Sequence, residues 1–103
     1  IIKKDRRKKR AIASGRILDA DIEKIDINNS YTVNGRNPYI IYCMYKDEYY
    51  DKIYRFKSDN LWTDPGLILQ PGDIIQVHVD EKDYSCYHVD TKRLLDGKII
   101  DYT

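Results

Sequence analysis

The sequence predicts an all-β fold: a small antiparallel, partly closed barrel or sandwich of about six strands. Three observations predict it. Apolar and polar residues alternate in short runs, most clearly where Ile75, Val77 and Val79 interleave with Gln76, His78 and Asp80, which is the two-residue period of a half-buried strand. Turn signals such as Asn34-Gly35 and Pro71-Gly72-Asp73 punctuate these runs. No apolar stripe of 3.6-residue period extends for a convincing length. With so few strands a curled, partly closed sheet is preferred, because closure removes the exposed edges that invite aggregation.

Taken in order, Leu18, Ala20 and Ile22 alternate with Asp19, Asp21 and Glu23. The apolar phase then slips by one, and Ile25 and Ile27 continue on odd positions. A slip of one residue turns every side chain to the other face unless a bulge absorbs it, so a bulge or bend is predicted near residues 23–25. Asn28, Asn29 and Ser30 read as a turn before a short strand at residues 31–33. Asn34-Gly35 is a tight-turn pair, since both residues tolerate positive φ, and Asn37-Pro38 closes the loop.

The run from Tyr39 to Tyr45 is apolar or aromatic on both faces, which suits a central strand. Residues 46–52 form a charged hairpin loop, and residues 53–58 the next strand, with Tyr54 and Phe56 on one face against Arg55 and Lys57 on the other. Residues 59–73 read as a long loop with a short turn around residues 67–69, and Trp62 is expected to plug one end of the core. The Ile75 strand follows, turned back by Glu81, Lys82 and Asp83 into a strand over residues 84–89. Leu94, Leu95, Ile99 and Ile100 suggest a final short strand or helical turn.

A chain of 103 residues has room for one domain, burying roughly 60–65% of its unfolded surface. Its net charge of +1 conceals an asymmetry: residues 1–10 carry net +6 and the remainder net −5. An acidic body argues against a nucleic-acid-binding face. No run reaches the roughly 18–20 apolar residues that span a bilayer, and no signal-peptide pattern is present. Cys43 and Cys86 lie in strand-like runs without metal-site spacing and read as buried free thiols.

Seven of the eight residues from Lys3 to Arg10 are basic. Such a block resembles the cytoplasmic flank of a transmembrane helix, where positive charge is retained during insertion, with Ile1 and Ile2 as the last apolar residues of that helix. The expected organisation is a basic juxtamembrane arm over residues 1–12 and a single small β domain over residues 13–103. Lys3, Lys4, Arg6, Arg7, Lys8, Lys9 and Arg10 are the candidate contacts to anionic lipid or another anion, each worth about 1 kcal/mol beside anionic headgroups.

Ten tyrosines are an excess for this length, and most suit packing on half-buried sheet with the hydroxyl left wet. Tyr49 and Tyr50 in the charged loop, together with Trp62, are the candidate partner contacts, because exposed aromatics are favoured at interaction hot spots. Asp73, Asp80, Glu81, Asp83 and Asp90 gather near turns but do not match a calcium-loop spacing, so they read as turn caps. His78 and His88 fall on strands expected to be neighbours, without a third ligand at fixed spacing. No nucleophile elbow, phosphate-binding glycine loop or Cys/His dyad is visible, so no catalytic residue, metal site or cofactor is assigned.

The order of these features resembles a widespread bacterial group of membrane-anchored small β domains of unknown function. The matching positions lie between residues 13 and 90: Ala13-Ser14-Gly15, Pro38-Tyr39, Ser58 after the aromatic strand, Pro65, Gly72-Asp73 before a valine-rich strand, and the turn from Asp80 to Tyr84. The resemblance implies one or two transmembrane helices before Ile1 and a β domain held near the bilayer, and it transfers no catalytic residue.

The function expected from the sequence is therefore non-enzymatic: a domain tethered to the cell membrane, on its cytoplasmic side, that engages the membrane surface or a protein partner. A soluble nucleic-acid-binding module using the basic arm is the alternative, and it would show steep salt dependence. A small hydrolase or metal enzyme built on the acidic and histidine positions is a third reading and requires a bound metal.

Overall fold

A computed structural model describes residues 2–91, with the side chains of residues 2–5 and 14 outside the described set. The predicted terminal element around Leu94 to Ile100 lies outside the described residues. The elements are helix α1 (Ile2–Ser14) and strands β1 (Arg16–Ile27), β2 (Tyr39–Asp47), β3 (Lys52–Lys57), β4 (Ile74–Asp80) and β5 (Asp83–Val89), with a 3-10 turn at Pro65–Leu67. The strands form one sheet in the order β3-β2-β1-β4-β5, antiparallel at every junction. The sheet is a half-barrel, so the all-β, partly closed reading holds, with five strands in place of about six.

β1 is the spine. Its first half pairs with β4, from Arg16 opposite Val79 to Asp21 opposite Ile74, and its second half pairs with β2. The register shifts between Ile22 and Lys24, where the phase slip predicted a bulge. The bulge keeps Leu18, Ala20, Ile22 and Ile25 on the core side and bends the strand that both halves of the sheet share.

The core joins those residues to Ile41 and Cys43 of β2, Phe56 of β3, Ile75, Val77 and Val79 of β4, and Val89 of β5. β2 lies inside the sheet with Ile40 and Ile41 both buried, as its two-sided apolar pattern requires. The outermost strands meet through rings: Tyr54 packs on Tyr84 at 4.9 Å between centroids and Phe56 on Tyr87 at 4.8 Å. The Lys57 amide donates to the Tyr87 hydroxyl at 3.4 Å. Part of the tyrosine excess is thereby explained, since these rings close the half-barrel where no backbone ladder does.

Asn34 and Gly35 both take positive φ, 52° and 76°, and hold Val33 and Arg36 as a mutually bonded pair. The strand predicted at residues 31–33 is reduced to that single bridge. Its carbonyls are diverted instead: the Asn37 side-chain amide donates to the carbonyls of Asn28 and Tyr31 and to the Thr32 hydroxyl. The hairpin between β2 and β3 is tighter than residues 46–52, because β2 runs on to Asp47, whose carboxylate accepts from the Tyr49 and Tyr50 amides.

Trp62 does not plug the core. It is 40% exposed, and the hydrophobic residues of that loop packed into the core are Leu69, Leu61 and Ile68. Leu61 exchanges both backbone hydrogen bonds with Tyr39, which draws Leu61 inward and leaves Trp62 to point away along the next residue.

Candidate functional site

Helix α1 is built from lysine and arginine, good helix formers, and ends at Gly15, whose φ of 74° is the left-handed conformation that terminates helices. It packs on β4 and β5. Ala11 is fully buried, small enough for the helix to approach closely. Two basic side chains clamp the helix down. Arg10 donates from Nε and Nη2 to Asp80 Oδ2, at 3.2 and 2.6 Å, and Lys8 Nζ lies 3.5 Å from Asp59 Oδ2.

The Arg10–Asp80 pair has electrostatic consequences. The Lys82 amide and then Arg10 hold the Asp80 carboxyl below its ordinary range, and the Asp80 hydrogen bond in turn raises the Arg10 guanidinium. Arg6, Arg7 and Lys9 are exposed on the same helix. The predicted contacts Lys3 and Lys4 lie in its first turn, with side chains outside the described set. The seven basic residues are thus not one uniform block: two of them tie the helix to the β domain, at Asp80 and at Asp59 in the loop after β3, a division that needs the fold to be seen.

Tyr49, Tyr50 and Trp62 do not share a surface. Tyr49 and Tyr50 stack edge to face at 4.7 Å on the turn between β2 and β3, both strongly exposed. Trp62 follows the far end of β3, a strand of six residues and therefore on the order of 20 Å long. Its neighbours are Tyr31, 6.1 Å away between centroids, and Arg36, whose Nη2 donates to the Trp62 carbonyl at 3.2 Å. Tyr31 and Arg36 carried no sequence signal of their own. Only the loop folding back from Asn28 to Pro38 brings them to Trp62.

The acidic positions behave as turn caps. Asp73 accepts from the Gln70 amide, Asp80 from the Lys82 amide, and Asp83 from both the amide and hydroxyl of Ser85. Those Ser85 hydrogen bonds hold the Asp83 carboxyl low. Asp90 instead faces His78, 3.4 Å from its Nε2, and Glu81 is exposed. Among the described residues no three His, Cys, Asp or Glu side chains converge as a metal site. Cys43 and Cys86 are buried free thiols.

No helix among the described residues is long and apolar enough to cross a membrane. Comparison with protein-family models, curated proteins and solved structures finds nothing that matches the chain.

Proposed function

We propose that this chain is a non-enzymatic β module that works at an anionic membrane surface, with α1 as the contact element. The observation that carries this reading is the division of labour in α1. Lys8 and Arg10 pair with Asp59 after β3 and Asp80 at the end of β4, while Arg6, Arg7 and Lys9 are exposed on the same helix. Basic side chains beside anionic headgroups each gain about 1 kcal/mol, and salt screens that gain. The remainder of the chain is net acidic, so contact with any polyanion, lipid or nucleic acid, falls to α1. In the wider form of this proposal, a preceding transmembrane helix holds the domain on the cytoplasmic side of the cell membrane, where its loops meet a protein partner.

Two experiments test this. The complete gene product should stay in the membrane pellet after alkaline carbonate extraction, and release would sink the integral anchor. The 103-residue chain should sediment with phosphatidylcholine–phosphatidylserine vesicles at low salt, less so at high salt, and not after Arg6, Arg7 and Lys9 are changed to Glu. Equal binding to pure phosphatidylcholine, or salt-sensitive binding to DNA in place of vesicles, would overturn the reading.

A further inference from the structure

We propose that the end of the half-barrel bearing Tyr31, Val33, Arg36 and Trp62 is a lipid-interface contact, seated at headgroup depth beside the basic helix. The inference rests on the membrane-surface reading above and names the second element of the contact. Tyr31, Val33 and Trp62 are all exposed, and they come from two separate loops, residues 28–38 and 58–73. The loops are fastened together: Asn28 Nδ2 donates to Asn60 Oδ1 at 2.9 Å, Tyr31 packs on Trp62, and Arg36 donates to the Trp62 carbonyl. The three hydrogen bonds of Asn37 brace the first loop from within. An exposed aromatic patch held this firmly presents its rings with little ordering left to do on contact.

The positive charge of α1 selects lipid as the occupant. Arg10 meets Asp80 at the end of β4, and Lys8, two residues earlier in the helix, meets Asp59, which directly precedes Asn60 and Leu61. The Lys8–Asp59 contact brings the helix to a position three residues before Trp62 in the chain, and the exposed Arg6 and Arg7 lie on the same helix. Two carboxylates of this region are paired with lysine: Asp59 with Lys8 and Asp26 with Lys24. Aromatic rings at the level of headgroups with cations beside them are the composition of a membrane–water interface.

Trp62 is the only tryptophan, so its emission reports this patch and no other. On adding phosphatidylcholine–phosphatidylserine vesicles to the 103-residue chain, the emission should shift to the blue. It should also lose quenching by acrylamide and gain quenching by brominated lipid. Trp62→Ala should weaken vesicle binding roughly tenfold, as expected for withdrawing on the order of 60 Å² of apolar surface from lipid. Tyr31→Ser should weaken it in the same direction. Sedimentation with vesicles while Trp62 emission stays unchanged would overturn this proposal and leave the role of α1 standing. Failure to sediment at all would overturn both. Vesicle binding indifferent to Trp62→Ala and Tyr31→Ser would overturn it equally.

Discussion

His78 and His88 face each other across the β4–β5 ladder as direct partners, their rings 6.2 Å apart and inclined by only 20°. Each has a carboxylate close by. Asp90 lies 3.4 Å from His78, and Asp59 lies 3.9 Å from His88 through the same oxygen that pairs with Lys8. Lys8 from the helix, Asp59 from the loop after β3, His78 from β4 and Asp90 after β5 thus all bear on His88.

The first prediction concerns pH. Burial, then Lys8, and also His78 hold the His88 imidazole below its ordinary value, outweighing the opposing pull of Asp59 and Asp90. The unfolded chain therefore takes up a proton at this position more readily than the folded one. The contribution of His88 is complete above the ordinary histidine value of about 6.5 and is lost as pH falls through the lower folded value. Charging His88 also sets it against Lys8 in competition for Asp59. The melting temperature should fall on acidification across this range, and His88→Gln should flatten that part of the profile. Identical profiles for the two proteins would refute the assignment.

A second prediction isolates one hydroxyl. Ser58 is buried; its Oγ accepts from the Ile41 amide and donates to the Asp59 carbonyl, both at 2.9 Å, while its own amide donates to the Ile41 carbonyl. Ser58→Ala strands a buried amide of a central strand, and chemical denaturation should show a loss of about 1–3 kcal/mol. Ser58→Thr keeps the hydroxyl and should recover part of it. A neutral Ser58→Ala would mean that water replaces the hydroxyl.

The third concerns thiol chemistry. Cys43 is fully buried, and desolvation, with a smaller push from Glu23, raises its thiol to about 12. Only thiolate is a strong nucleophile, so alkylation of Cys43 near neutral pH should proceed no faster than unfolding exposes it. Rapid labelling under native conditions, read by mass spectrometry of the Cys43 peptide, would contradict the packing described.

The strands were legible because their signals are local. The slip between Ile22 and Ile25 is visible as a change of parity, and Asn34-Gly35 announces its own backbone angles. Helix α1 was not legible, because the periodic signal of a helix comes from a buried apolar face. Here the face against the sheet rests on Ala11 and on charge pairs with Asp59 and Asp80, partners 51 and 70 positions away in the chain. The same distance problem hid the aromatic patch. Tyr49, Tyr50 and Trp62 are close in sequence yet separated by the length of β3, whereas Tyr31 and Trp62 are distant in sequence and touch.

The way β3 and β5 meet bears on how the molecule opens. Interior strands can separate only by breaking ladders, but Tyr54 on Tyr84 and Phe56 on Tyr87 can part by side-chain rotation with the sheet intact. Such a seam is expected to act as a hinge line, admitting water to the interior without global unfolding. Hydrogen exchange would place it among the low-energy openings of the fold, with the amides of β3 released ahead of those of β1.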